Sequence, residues 1–172
     1  SGNYEDYMSN ESQIEKGEMY HLYSSLNVDS LKFKTLGGRT VYGGGGITPD
    51  VFVPQDTTES SFYLTKLLLS GAFQSFAFEY VAYKRNYWTG PQDFTSRFII
   101  NDNILQDFVS YASRELGVLA NKREFQRSKR FISNNLKAEI ARQIWAEDGY
   151  FRIINTIDKE MLKAEEQLRK MK

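Results

Sequence analysis

The first thirty residues show no sustained apolar period: Tyr4, Tyr7, Tyr20 and Tyr23 are scattered among polar and acidic neighbours. They read as a poorly ordered lead-in, with at most a short helical turn between Gly17 and Leu26. The pattern changes at Leu31. Leu31-Lys32-Phe33-Lys34-Thr35 alternates apolar and polar, as a half-buried strand does. Gly37-Gly38 supplies two residues that tolerate positive φ, predicting a two-residue hairpin turn with Arg39-Thr40-Val41-Tyr42 as the returning strand. After four glycines at 43–46, Val51-Phe52-Val53 reads as a short third strand. Pro49 and Pro54 bracket it and confine it to an edge, because proline cannot donate to a ladder.

Beyond Asp56 the period lengthens. N-cap candidates run from Asp56 to Ser60, ahead of a helix with Phe62, Leu64, Leu67 and Leu68. Gly71 breaks it, and Phe73, Phe76, Ala77, Tyr80 and Val81 then mark a second amphipathic helix. Trp88-Thr89-Gly90-Pro91 ends that helix, so residues 88–92 are the expected internal joint. Phe94, Phe98, Ile99 and Ile100 bridge to a third helix capped by Asn101 or Asp102. Its apolar face is Ile104, Leu105, Phe108, Ala112 and Leu116, and Gly117 stops it. A fourth helix places Ile132, Leu136, Ile140 and Ile144 four residues apart, with an interruption at Asp148-Gly149. A fifth carries Tyr150, Ile154, Ile157, Met161, Ala164 and Leu168, a heptad seam expected to dock on the protein's own helices. The expected fold class is therefore α+β, mainly α. A polar lead-in over 1–30 precedes a β-hairpin and glycine-rich segment over 31–56, then a bundle of about five helices over 57–172.

Composition adds exclusions. The chain has 172 residues, 22 basic and 22 acidic side chains, one His and no Cys. That length supports one sizeable core. Absence of Cys removes disulfides, thiol catalysis and cysteine metal sites. No apolar run approaches the ~18 residues of a membrane span, and Ser1-Gly2-Asn3-Tyr4 has neither the basic nor the apolar region of a signal peptide. The neutral total hides a gradient: residues 1–60 hold 4 basic and 9 acidic side chains, whereas residues 121–172 hold 13 and 8. Acids interleaved with those bases fit solvated helix faces with i,i+4 pairs better than a phosphate-tracking stripe, so no nucleic-acid partner is expected.

Candidate chemistry is sparse. The glycines at 43–46 lack the Lys-Ser/Thr of a P-loop and open no helix, so they form neither a triphosphate cradle nor a dinucleotide fingerprint. His21 lies in the weakest-patterned part of the chain, where a catalytic triad could not be held rigid. One His and no Cys leave only carboxylates for a metal, without EF-hand spacing. The pairs Glu147-Asp148 and Glu165-Glu166 fall on polar helix faces. No Ser sits in a Gly-x-Ser-x-Gly elbow. The residues thus nominate no catalytic, cofactor-binding or metal-ligating side chain, and no cofactor.

One stretch says more. Thr35, Gly38, Arg39 and Val41, followed by Gly46, Ile47, Pro49, Asp50, Val51 and Val53, match the form Thr-x-x-Gly-Arg-x-Val then Gly-Ile-x-Pro-Asp-Val-x-Val. This resembles the segment that follows the catalytic core in carboxy-terminal processing (tail-specific) serine peptidases. Val41-Tyr42 before four glycines resembles the longer, Bacteroidetes-type members. Leu136 to Trp145, Gly149-Tyr150-Phe151 and Asn155 to Asp158 are similar to their helical C-terminal extension. The resemblance implies a parent that cleaves protein C-termini with a Ser nucleophile and a Lys base. It also implies upstream catalytic and PDZ domains, protein or peptide substrates, and a periplasmic or envelope location. The family's Ser/Thr-Phe-Gly-Lys-Gly context is absent here, so the resemblance carries over no catalytic residue and implies an inert C-terminal portion. Such a hairpin, isolated from its sheet, presents open edges through which two copies are expected to pair. The alternative is an independent helical protein-interaction module with an apolar groove near Phe73, Phe76 and Tyr80.

Overall fold

A computed structural model describes residues 32–38, 40–42, 51–54 and 56–171. Two compact units emerge, Ser1–Gln55 and Asp56–Lys172. The lead-in with His21, the four glycines and the expected turn between Gly17 and Leu26 lie outside the described residues.

In the first unit β1 (Lys32–Lys34) pairs antiparallel with β2 (Thr40–Tyr42), placing Phe33 opposite Val41. The turn differs from the expected two-residue form. Gly38 N donates to Thr35 O at 2.9 Å, and Gly38 alone takes a left-handed φ of 79°. This is the longer hairpin turn closed by a left-handed glycine, and it shifts the register by one residue relative to a Gly37-Gly38 turn. The expected third strand does not form: Val51, Phe52 and Val53 are irregular, with Val51 and Phe52 each 40% exposed. Proline on both sides withholds the donors a ladder needs.

The second unit is helical throughout, so the protein is mainly α. It begins with α1 (Phe62–Leu69), whose N-cap is Ser61 rather than the preceding polar residues: its Oγ accepts from Leu64 N at 3.1 Å. Its buried face is Tyr63, Leu64 and Leu67, leaving Phe62 and Leu68 exposed. Gly71, at φ 69°, turns the chain into α2 (Ala72–Val81), which buries Phe73, Phe76, Ala77 and Val81. A 3-10 turn (Arg85–Tyr87) leads to α3 (Pro91–Arg97), a helix the apolar pattern presents only as a bridge. Pro91 sits in its first turn, where a missing N–H costs nothing. Next come α4 (Asp102–Leu116), α5 (Lys122–Ile154) and α6 (Lys159–Lys170), giving six α-helices among the described residues where five were expected.

Both ends of α4 use local chemistry that the sequence displays. Asn101 Oδ1 accepts from Ile104 N at 3.0 Å, and Gly117 at φ 67° lets Val118 N reach back to Ala112 O at 2.9 Å. Two aromatic groups fill the core. Phe108 of α4 meets Phe73 and Phe76 at centroid distances of 5.0 and 5.4 Å. Phe94 meets Trp88, Phe98 and Trp145 at 4.9, 4.6 and 5.4 Å. Trp88, at the start of the expected joint, belongs to the second group. Ile132, Leu136 and Ile140 are each fully buried on α5, the helix that packs on α1, α2 and α3.

The expected interruption at Asp148-Gly149 falls instead at Trp145 (φ −124°, ψ 18°) and Ala146 (φ 52°, ψ −142°), where α5 reverses. Ala146 is the one non-glycine with positive φ among the described residues, in a region that costs a side chain about 1–3 kcal/mol. Gly149 has a different task. A Cβ there would lie 2.5 Å from Ala141 O and 3.1 Å from Trp145 Cβ, so only glycine lets the returning segment approach this closely.

The seam of α6 is also corrected. No residue of α6 is buried, and Met161, Leu162 and Leu168 are 41%, 47% and 62% exposed. The expected seam is thus split: Tyr150 and Ile154, at the end of α5, pack against the core, whereas Met161 and Leu168 of α6 stay exposed. Phe73 and Phe76, nominated for an interaction groove, are 1% and 7% exposed and belong to the core.

Candidate functional site

The reversal of α5 gathers a polar cluster around one buried carboxylate, that of Glu139. Glu139 follows Leu136 by three residues on the buried face of α5, which brings its carboxylate into the core at 2% exposure. Gln74 of α2 donates Nε2–H to Glu139 Oε1 at 3.2 Å, and Arg142, one turn on, donates from NH1 to the same oxygen at 3.1 Å. Arg142 also bridges the reversal: NH2 donates to Glu147 Oε2 at 3.2 Å, and the guanidinium lies 3.7 Å over the ring centre of Tyr150. Two atoms stay unsatisfied within this cluster, Glu139 Oε2 and Arg142 Nε.

Its electrostatics follow from that burial. Desolvation raises the Glu139 carboxyl above the ordinary carboxylate range, while the Arg142 charge and the Gln74 hydrogen bond pull the other way. Burial also raises the Tyr150 phenol, reinforced by the charges of Glu139 and Glu147. A half-buried cation, Lys137, lies elsewhere on α5. Lys137 Nζ donates to Thr95 O at 2.8 Å, and burial lowers its pKa. Each charge is held by a protein partner. Chemically the cluster is a brace: Arg142 ties α2 and the first part of α5, through Glu139, to the returning segment, through Glu147 and Tyr150.

Other polar features resolve into ordinary roles. Glu147 pairs with Arg142, and Asp148 with Arg152 at 2.9 Å. Glu166 lies between Lys163 and Lys170, whose hydrogen bonds hold its carboxyl down to about 2. Both carboxylate pairs therefore stand on ion-paired surfaces, as the helix-face reading expects. Ser128 Oγ, fully buried, donates to Glu59 O at 2.6 Å and shares a hydrogen bond with Ser61 Oγ at 2.8 Å. Among the described residues no three His, Cys, Asp or Glu side chains are placed to hold a metal ion. No helix among them is long and apolar enough to cross a membrane.

An open groove of about 580 Å³ runs between α4 and the start of α5, and its lining mixes apolar Leu105, Val109 and Phe125 with polar residues including Lys122 and Lys129. Lys129 is already paired with Asp102 at 2.7 Å.

The sequence pattern alone does not nominate Gln74, Glu139, Arg142 or Tyr150 as a cluster. One signal was present. Glu139 interrupts the apolar stripe between Leu136 and Ile140, with Arg142 three residues later, and an acid on a buried face needs a partner within a turn.

Residues 63–146 match the model of a family of unknown function (DUF8443). The match runs from the first turn of α1 to Ala146, so it contains most of the helical core, Ile153 excepted, and stops at the reversal. No curated protein and no solved structure matches the chain.

Proposed function

We propose that this chain is the C-terminal, non-catalytic portion of a tail-specific serine endopeptidase. In this reading the hairpin segment belongs to the peptidase core, and the helical unit serves assembly or substrate handling. The observation that carries the proposal is the spacing of Thr35, Gly38, Arg39 and Val41 ahead of Gly46, Ile47, Pro49, Asp50, Val51 and Val53. The pairing of β1 with β2 supports it, because the first half of that motif spans the hairpin turn. Its partners are then the parent's catalytic and PDZ domains and its protein or peptide substrates, in the periplasm or cell envelope. The hairpin of this chain alone, with Phe33 and Val41 56% and 40% exposed, pairs with a second copy in place of the missing sheet.

Mass spectrometry of an unstructured protein tail tests the reading. The 172-residue chain alone should leave the tail intact. The same gene's longer product, carrying a Ser/Thr-Phe-Gly-Lys-Gly context upstream, should cut it near the C-terminus. A gene without that upstream context would overturn the proposal, as would cleavage by this chain alone. The second reading, an independent helical interaction module, gains from the exposed apolar residues of α6 but loses the groove at Phe73 and Phe76.

A further inference from the structure

We propose that the reversal at Trp145 and Ala146 is an exchange hinge, through which two copies of this chain swap the residues that follow it. The inference stands apart from any peptidase role, because it concerns the helical unit alone.

Local preference and observed conformation disagree at one residue. Alanine is the strongest helix former, yet Ala146 holds φ 52° and ψ −142° in the middle of a segment that is helical on both sides. Relaxing Trp145 and Ala146 together to helical angles would straighten α5 into one rod of 33 residues, about 50 Å long. In a single chain that step strips the core of its cover. Ile153, 4% exposed, would leave it, and so would Gly149 from its contact with Ala141 and Tyr150 from beneath Arg142.

A second copy restores each of those contacts. Its own residues 147–154 have the glycine that fits against Ala141, the ring that lies under Arg142 and the carboxylate of Glu147 that pairs with it. The occupant is therefore another copy of this chain. In the exchanged dimer the same interactions form between chains, both hinges lose their strain, and the opposing term is the entropy of association. Strain released at two hinges favours the dimer by roughly 30-fold or more over an unstrained turn.

Light scattering after refolding the 172-residue chain over a range of concentrations tests this, using the native chain, Ala146→Gly and Ala146→Leu. Glycine accepts the strained angles and weakens a helix, so Ala146→Gly should weaken dimerisation at least tenfold. Leucine rejects those angles and favours a helix, so Ala146→Leu should strengthen it. Geometry gives an independent readout, because the chain has no native cysteine to interfere with labelling. Spin labels on Gln126→Cys and Phe151→Cys, in a doubly labelled chain diluted into unlabelled chain, should lie about 37 Å apart in the dimer, as 25 helical residues require. They should lie closer in the monomer. A dimer indifferent to Ala146→Gly, equal label distances in both forms, or a monomer at every concentration even for Ala146→Leu would each overturn the proposal.

Discussion

Ile132, Leu136 and Ile140, spaced by four along the first part of α5, are fully buried, whereas Met161 and Leu168 on α6 are 41% and 62% exposed. Both stretches show the apolar period of a packed helix, and both are helices. Periodicity fixes which face of a helix would be buried; it does not supply the surface that buries it. The stripe on α5 meets α1, α2 and α3, and its three side chains each gain roughly 1.5–3 kcal/mol from leaving water. The seam on α6 has no such counterpart among the described residues. Its helix is held by local terms: Asp158 accepts from Glu160 N and Met161 N at 2.8 and 3.0 Å, Lys159 pairs with Asp56, and Glu166 pairs with Lys163 and Lys170. Exposed ion pairs are screened by solvent and a cap fixes only the first turn, so α6 is the part of the unit most easily frayed.

The comparison is broken most directly at Leu136. Leu136→Ala removes a fully buried side chain from the helix that packs on α1, α2 and α3, and should cost about 2–5 kcal/mol in urea unfolding. Gly149→Ala comes next. Its new Cβ would lie 2.5 Å from a backbone carbonyl oxygen, which cannot rotate away, so a loss of about 1–3 kcal/mol is expected. A thermal midpoint equal to the native one would show that the returning segment of α5 is loosely docked and belongs with α6 in this comparison.

Those two sites also mark what a reading of the sequence reaches. The stripes on α2, α4 and α5 were legible because burial there is one-sided and periodic, and the ends at Gly71, Asn101 and Gly117 because each uses a residue type suited to its backbone. The helix at Pro91 was obscured because Trp88-Thr89-Gly90-Pro91 resembles an ending, although proline is as much a first-turn residue. The short strand at residues 51–53 failed because its alternation lacked any described partner strand. Ala146 was illegible for a stronger reason: its conformation opposes its own propensity and is imposed by tertiary packing. The brace of Gln74, Glu139, Arg142 and Tyr150 depends on that packing too, since Glu147 and Tyr150 reach Arg142 only once α5 has turned.

Glu139 sharpens the comparison through pH. Burial raises its carboxyl pKa above the unfolded value, so the folded state keeps this proton to higher pH than the unfolded chain does. Its contribution to stability is therefore largest in acid and declines as pH rises through the raised pKa. Glu139→Gln keeps an acceptor for Gln74 and removes the charge. Relative to the native chain it should gain stability on going from acid to neutral pH, read as a pH-dependent gap between urea midpoints. A native chain that outlasts Glu139→Gln increasingly toward neutral pH would mean that pairing with Arg142 outweighs the cost of burial.

The smallest effect belongs to α6. Leu168→Ala shortens a side chain that is 62% exposed and has no buried neighbour on its helix, so unfolding should move by less than about 0.5 kcal/mol. The substitution also replaces leucine by a slightly better helix former, which offsets part of the lost contact area. A near-zero shift in dilute solution, set against the loss at Leu136, would establish that two equally periodic stripes differ only in having a partner. A loss that grows with protein concentration would mean that something covers the seam in solution.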